Sequence, residues 1–383
     1  MPNDRLHRPA LERGPLVVER HPRGGHLPAL DGLRGLAIIA VIVCHVNVVT
    51  GGPFAAGRIT GPLSTVFAWG WVGVNLFFVL SGFLITGILY DAKGSVGFFR
   101  NFYARRALRI MPLYYGFLFC IVVMNRLHCL RAVWLSPEGL ASLASYTYNF
   151  RFALTGHGLG DLHHFWSLAV EEHFYLLWPQ IFVWVRNRRL LMYLCFVTAL
   201  IEFGWRIVGA TRVGYLYVNF STETNAAAIL IGCGLALLLW FEPFRLPSFC
   251  LHPVAGAISI AGVLALAQTP ENPQIRWAIP AAIPLAAIIV LQAVTYEWRI
   301  LENPVARFLG QISYAIYLWG LVAKEISRGL GDGSRQVVLL LSVVAIATIS
   351  HYLVEAPAQA LGRRLLAGAK SGVTPVPVHR GTP

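Results

Sequence analysis

The sequence predicts an all-α, polytopic membrane protein with about ten transmembrane helices and one short interfacial or re-entrant helix. Apolar residues make up 56% of the 383 residues and charged residues only 13%, whereas a soluble domain has about 45–50% and about 25%. The mean hydropathy is +0.60, yet the net charge is +13. This combination excludes intrinsic disorder, and it does not fit a nucleic-acid-binding domain, which pairs basic patches with a polar surface.

Ten apolar segments along the chain predict the membrane spans, because a span needs about 20 mostly apolar residues. They cover residues 35–50, 66–90, 110–125, 165–185, 190–209, 221–241, 250–267, 278–296, 310–326 and 336–354. The segment 138–154 is more polar and predicts the short interfacial or re-entrant helix.

Positive charge predicts the orientation, because Lys and Arg concentrate in cytoplasmic loops. With a cytoplasmic N-terminus and alternating spans, about two thirds of the 31 Lys and Arg residues fall on the cytoplasmic side. We therefore expect a multi-pass protein of the inner (plasma) membrane with both termini in the cytoplasm. Residues 1–28 and 367–383 lack apolar periodicity and are expected to be disordered cytoplasmic tails, the first one basic, around a membrane domain at residues 29–366. We expect no second soluble domain.

The first span carries ionisable residues, which are costly inside a membrane and usually functional. Arg34 and His45 are 11 residues apart, so on an α-helix they share a face and lie about 16 Å apart along the axis. Asp31 falls near the same stripe. A neutral imidazole near mid-membrane could act as a general base on a hydroxyl. The alternative is structural, with Arg34 as a topology anchor and His45 hydrogen-bonded to a neighbouring helix.

Basic residues also follow the second span, in a segment that we interpret as the first cytoplasmic loop. Arg106 and Arg109 are three residues apart and face the same way if this segment is helical. Two guanidinium groups suit a phosphate, which they can hold with paired hydrogen bonds. The alternative is ordinary anchoring by positive charge on the cytoplasmic side.

The fourth span opens with a segment too polar for a lipid-facing helix. It contains the adjacent carboxylates Glu171 and Glu172, and three histidines, so we expect it to face a wet cavity or to pair internally. The two carboxylates point about 100° apart on a helix, so at most one should address a given site directly. The His and Glu spacing matches no familiar metal site, so no metal is expected.

Two other spans carry residues that we interpret as structural. Gly73, Ser81 and Gly82 in the second span are typical of close helix packing. Lys324 lies near the outer end of the ninth span and is expected to reach the membrane interface.

These segments together resemble the acyltransferase 3 family of integral-membrane acyltransferases, over about Leu30 to Arg364. The family modifies sugars of surface polysaccharides, lipopolysaccharide, peptidoglycan, nodulation signals and macrolides. The matching motifs are Arg34 with His45, Gly73 to Gly82, Arg106 with Arg109, the segment His164, Trp166, Ser167, Leu168 and Glu171, the segment Ile312 to Leu318, and Val354, Glu355 and Pro357.

The sequence departs from the family pattern at three positions, one of which is His351, where a tyrosine is usual before the last motif. His173 stands where a glutamine is usual, and Gly320 stands where a histidine commonly closes the ninth-span motif. The missing histidine puts any role of position 320 in doubt. We expect no fused hydrolase-like extracellular domain, so the chain resembles the stand-alone members of the family.

The resemblance implies an O-acyltransferase that moves an acetyl or short acyl group from cytoplasmic acyl-coenzyme A to a sugar hydroxyl of a surface glycan or secreted glycoside. His45 would be the base, oriented by Glu171, and no cofactor would be permanently bound. Direct transfer and an acyl-His45 intermediate both stay open. The donor would bind Arg34, Arg106 and Arg109, and the supporting candidates are Asp31, His164, Trp166, Ser167 and Glu172.

Two other functions remain open at this point. A glycan or lipid flippase or transporter also carries charged residues within its spans. A non-catalytic homologue that only binds a surface glycan is the other alternative.

Overall fold

The computed structural model describes residues 27–50, 70–131, 133–241, 246–267, 269, 274–296 and 298–367, without the side chains of residues 45–50, 241, 274–275, 332–333 and 367. Throughout these ranges the secondary structure is helical, and no β-strand occurs in them. The predicted all-α class is therefore confirmed. The predicted tails fall outside the described ranges, except for residues 27–28 and 367.

The helices have the following bounds. In chain order they are α1 (Pro28–Thr50), α2 (Gly70–Asp91), α3 (Phe98–Arg126), α4 (Pro137–Ala144), α5 (Tyr148–Thr155), α6 (Trp166–Trp184), α7 (Arg188–Arg212), α8 (Tyr215–Phe220), α9 (Ala226–Phe241), α10 (Pro253–Leu266), α11 (Ile279–Thr295), α12 (Arg299–Glu302), α13 (Pro304–Gln311), α14 (Ser313–Ser327), α15 (Asp332–Ser350) and α16 (Ala356–Ala367). Short 3₁₀ or π segments cover Gly160–Phe165, Ser248–Leu251, Gln274–Ala278 and His351–Glu355.

Five helical stretches in the described part of the chain are long and apolar enough to cross a membrane. They are Gly70–Asp91, Phe98–Arg126, Arg188–Arg212, Arg276–Thr295 and Ser334–Leu366, and α13 with α14 would form a sixth span, bent by 72°. The predicted count of about ten spans is not confirmed. Helices α9 and α10 have 16 and 14 residues. At 1.5 Å per residue they are shorter than the roughly 30 Å of a bilayer's hydrocarbon core.

The interpretation of the segment after the second span as a loop is wrong. Helix α3 begins at Phe98, after Gly97 in the left-handed conformation (φ 72°), and runs without a break through Pro112. Arg106 and Arg109 therefore lie one turn apart on this long helix. The polar segment 138–154 forms two short helices, α4 and α5, with a turn between them where Tyr146 has φ 55°.

Close backbone contact holds α1 against α13. A Cβ atom at Gly35 would overlap the carbonyl oxygen of Ala306, and one at Gly310 would overlap the carbonyl oxygen of Asp31. Helices α2 and α9 meet in the same way, since a Cβ at Gly82 would overlap the carbonyl oxygen of Ile229. Small residues permit this approach in membrane proteins, where helix association depends on van der Waals packing.

The apolar side chains form two clusters that meet along α1. One cluster joins α2, α9 and α11, and the other joins α3, α14 and α15. Leu33 belongs to the first cluster and Ile38, about one turn later, to the second. The polar site described next opens between them.

Candidate active site

A polar cavity lies at the junction of the two apolar clusters. It holds about 890 Å³ of atom-free space including its mouth, and its wall is built by α1, α2, α3, α6, α14 and the turn at Tyr146. Six of the predicted site residues lie on this wall, namely Arg34, Arg106, Arg109, Ser167, Glu171 and Glu172. Residues more than 130 positions apart in sequence are thus brought to one site.

Three guanidinium groups line the cavity. Helix α1 supplies Arg34, and α3 supplies Arg106 and Arg109 from adjacent turns of one face. The guanidinium carbon of Arg106 lies 5.0 Å from the ring centre of Tyr175, and that of Arg34 lies 5.9 Å from the ring centre of Phe77. Aromatic faces attract and orient cations at such distances.

One donor atom of this cluster is available to a ligand. Within the described residues, the Nε atom of Arg34 is buried and has no hydrogen-bond partner. A buried polar atom that lacks a partner is costly unless a ligand or water satisfies it. The arginines outnumber the two carboxylates on the wall, so the cavity favours an anion.

Glu171 is held by a neighbouring helix. The Ser81 hydroxyl donates a 2.6 Å hydrogen bond to Glu171 Oε1 and lies 3.3 Å from the Tyr175 hydroxyl. Ser81 is therefore a cavity residue, and the interpretation of it as a packing position is wrong. Gly73 and Gly82 do lie at close helix contacts.

Both acidic residues of the fourth predicted span reach the cavity. Glu171 and Glu172 each line its wall, although adjacent positions on a helix diverge by about 100°. The expectation that only one carboxylate addresses a given site is wrong, because the cavity extends around the first turns of α6 as far as Tyr146.

Ser167 connects the cavity to α14. The Tyr317 hydroxyl donates to the carbonyl oxygen of His164 at 2.6 Å, and Ser167 Oγ lies 2.7 Å from the same hydroxyl. Ser167 Oγ also lies 3.3 Å from the carbonyl oxygen of His164, so the two hydroxyl groups and this carbonyl form one cluster. This cluster joins the start of α6 to α14 at the boundary between this cavity and a second cavity, which is described below.

Three supporting candidates lie elsewhere. Asp31 is in the first turn of α1, where a carboxylate interacts favourably with the helix dipole. The Trp166 ring packs edge-on against Phe78, at 6.0 Å between centres, and does not line the polar cavity. His164 lines a second cavity, and its Nδ1 lies 2.8 Å from the carbonyl oxygen of Asp161.

The second cavity, of about 640 Å³ of atom-free space, shares Ile38 and Tyr317 with the first. Its remaining residues are Val41, Ile42, Asp161, His163, His164, Ile316, Gly320, Leu321, Lys324, Leu339 and Val343. Lys324 Nζ forms a 2.5 Å ion pair with Asp161 Oδ2. Lys324 therefore pairs with the segment before α6.

His45 lies on α1, 11 residues after Arg34 and four after Val41. Its side chain lies outside the described part of the structure, so its predicted pairing with Glu171 stays a prediction. Among the described residues, no group of three or more His, Cys, Asp and Glu side chains could hold a metal ion.

Several cavity residues were not singled out from the sequence. They are Tyr146, Tyr175, Tyr314 and Tyr317, and Ser81 was singled out only as a packing position. A signal existed for Tyr175, which lies four residues after Glu171 and therefore on the same helix face. None existed for the contact between Ser81 and Glu171, which are 90 positions apart.

Ionisable residues inside a helical membrane protein mark a functional site, and this cavity combines three arginines with two carboxylates. The sequence profile described as "Acyltransferase domain" matches residues 27–354. The chain therefore belongs to the acyltransferase 3 family, as the motifs predict. Family membership and the apolar helices together make it a multi-pass membrane protein.

Curated relatives carry names that agree with this family. The chain is 30% identical to peptidoglycan O-acetyltransferase OatA of Listeria monocytogenes, over 77% of this chain and 49% of that protein. It is 30% identical to putative peptidoglycan O-acetyltransferase YrhL of Bacillus subtilis, over 88% of this chain and 56% of that protein. The chain thus spans about half the length of the curated relatives it matches. No solved structure matches the chain significantly.

Proposed function

We propose that the protein is a membrane O-acyltransferase that moves an acyl group from cytoplasmic acyl-coenzyme A to a sugar hydroxyl of an envelope glycan or secreted glycoside. The observation that carries this proposal is the convergence of Arg34, Arg106 and Arg109 on one cavity. Peptidoglycan is the first acceptor to test, because two relatives are named for it. The membrane is the plasma membrane, with both termini in the cytoplasm.

The arginine cluster suits the donor's charge. Coenzyme A carries phosphate groups at one end and a neutral pantetheine arm with the thioester at the other. Guanidinium groups hold phosphate oxygens through paired, charge-assisted hydrogen bonds. The phosphates would bind at Arg106 and Arg109, and the unpartnered Nε of Arg34 would contact the donor farther along α1.

His45 is the proposed base. It takes the proton from the acceptor hydroxyl, whose oxygen attacks the thioester carbonyl carbon. The carbon–sulfur bond breaks as the new carbon–oxygen ester bond forms, and the departing thiolate takes the proton from the His45 imidazolium. Glu171 would stabilise that imidazolium, as the acidic member of a catalytic triad does. In the variant of this scheme, His45 itself carries the acyl group transiently.

Replacing both Arg106 and Arg109 by Ala tests donor binding. We expect acetyl-coenzyme A to lose at least tenfold in kcat/KM, because each charge-assisted hydrogen bond contributes about 1.5–3 kcal/mol. The kcat/KM for acetyl-pantetheine, which lacks the coenzyme's terminal nucleotide, should fall only slightly. The measurement is transfer of labelled acetyl to peptidoglycan fragments in membranes, with each donor in turn.

The matched control is Arg105→Ala, because Arg105 lies on the same helix but is exposed and does not line the cavity. It should leave the preference for acetyl-coenzyme A unchanged. Equal losses with both donors in the double variant would contradict phosphate binding by these arginines.

Replacing His45 by Ala tests the chemical step. We expect transfer to fall by at least a hundredfold with the donor KM nearly unchanged, since general-base catalysis contributes about 10²- to 10⁴-fold. Full activity would overturn the mechanism. A wild-type protein that moves unmodified glycan across the membrane without transferring label would instead be a flippase.

A further inference from the structure

The two cavities follow one another along the same pair of helices. On α1, Arg34 lines the first cavity, Ile38 lines both, and Val41 lines the second. On α14, Ser313 lines the first, Tyr317 both, and the residues from Gly320 onward the second. At 1.5 Å per residue, the second cavity begins about 6 Å beyond Arg34, at Ile38, and Val41 lies about 10 Å beyond Arg34.

The wall of the second cavity is aliphatic over most of its length. Val41 and Ile42 form one side, and Leu339 and Val343 form another. Such a wall gains free energy by covering apolar surface and offers nothing to the phosphates of a donor. A ligand with a charged end at the arginines and an apolar end would therefore extend from the first cavity into the second.

The polar groups of the second cavity lie along one side of it, from Tyr317 and His164 next to the first cavity to the Asp161–Lys324 pair. His163 and His164 lie on the segment Gly160–Phe165, together with Asp161, which pairs with Lys324. The Asp161–Lys324 pair lies one turn of α14 beyond Gly320. A sugar hydroxyl suits the polar side, whereas an aliphatic chain suits the opposite wall with Val41, Ile42, Leu339 and Val343.

Gly320 determines how much of this space is open. A Cβ atom at Gly320 would have no atom within 4 Å, so the position faces empty volume. Ile316 and Lys324, one turn before and after it, line the same cavity. The face of α14 thus carries a gap between Ile316 and Lys324.

We propose that the second cavity holds the acyl chain of the donor and that Gly320 lets the protein accept acyl groups longer than acetyl. The inference rests on the proposed function, because the donor's phosphates fix which end enters first. Each methylene that enters an apolar site improves binding by about fourfold. The wild-type protein should therefore use hexanoyl-coenzyme A at least as well as acetyl-coenzyme A.

The test is a chain-length series of acyl-coenzyme A donors with Gly320→Leu and Gly320→Ala. The leucine side chain would fill the gap, and we expect the hexanoyl-to-acetyl ratio of kcat/KM to fall at least tenfold. The alanine variant adds a single methyl group and should give an intermediate ratio. Gly204→Leu is the matched control, since Gly204 is exposed on α7 and also faces open space; its ratio should equal that of the wild type.

The outcomes separate a failure of this inference from a failure of the proposed function. The inference fails, and the proposed function stands, if acetyl is transferred but hexanoyl-coenzyme A neither serves as a donor nor competes with acetyl-coenzyme A. It also fails if Gly320→Leu leaves the ratio unchanged and raises only the acceptor KM, because the cavity would then hold the sugar. If no acyl-coenzyme A of any length gives transfer, the proposed function fails and the inference with it.

Discussion

At the residue scale, the hydrogen bond from Ser81 to Glu171 most clearly distinguishes the polar cavity from ordinary apolar helix packing. The hydroxyl lies on α2 and the carboxylate on α6, and their 2.6 Å hydrogen bond joins these two helices in the cavity wall. A partly buried carboxylate that loses such a donor is destabilised by about 1–3 kcal/mol. Ser81 therefore fixes the position of the Glu171 carboxylate.

Ser81→Ala should lower kcat about tenfold and leave the quantity of folded protein in the membrane unchanged. The reason is that Glu171 would reorient within the cavity once its donor is removed, whereas the helices remain packed. The measurement is labelled acetyl transfer normalised to extracted monodisperse protein. Ser145→Ala removes an exposed hydroxyl that bonds only to nearby groups of its own segment, and serves as the control. An unchanged kcat in Ser81→Ala would show that the hydrogen bond has no part in the reaction.

At the element scale, the position of α1 depends on its contact with α13. Arg34 and the predicted base His45 both lie on α1, so the alignment of the site relies on how this helix is seated. Gly35 and Gly310 let the two backbones touch. A methyl group at either position has no room and must push the helices apart.

Gly310→Ala should therefore lower the Tm of the detergent-extracted protein by several degrees, since overpacking a tight contact costs about 1–3 kcal/mol. Transfer should fall as well, because α1 carries Arg34 away from α3. Gly204→Ala, on an exposed face of α7, should keep or slightly raise Tm, since alanine favours a helix over glycine. An unaltered Tm in Gly310→Ala would mean that α1 and α13 can move apart without a loss of stability.

The helices also show which parts of the fold can be predicted from the sequence. Apolar segments locate helices well, because hydrophobicity is a local property, and α7 and α11 fall where the spans 190–209 and 278–296 are predicted. Helix length is harder to predict, since charged residues such as Arg106 resemble a loop when read locally but continue α3. Contacts such as that of Ser81 with Glu171 depend on which helix faces meet, and no local pattern encodes that.

At the scale of the whole molecule, the order of the two cavities implies a direction for the reaction. The arginine-lined cavity lies toward the start of α1, and the cavity with the Asp161–Lys324 pair lies farther along the same helix. If the N-terminus is cytoplasmic, the charged donor enters from the cytoplasm and the acceptor approaches from outside. The donor cannot cross a bilayer unaided, because its phosphates would have to leave water.

Sealed vesicles of known orientation test this direction. Labelled acetyl-coenzyme A in the bath should support transfer in inside-out vesicles, with the label on acceptor sealed in the lumen. Right-side-out vesicles should show less than about a tenth of that rate until detergent opens them, which admits the donor to its proper face. Arg105→Ala vesicles provide the control, since that variant keeps the cavity intact. Equal rates in the two orientations, with intact seals, would contradict a one-sided donor entry. Such a result would require a cavity open to both faces at once, and the ion pair between Asp161 and Lys324 would then be the first contact to examine.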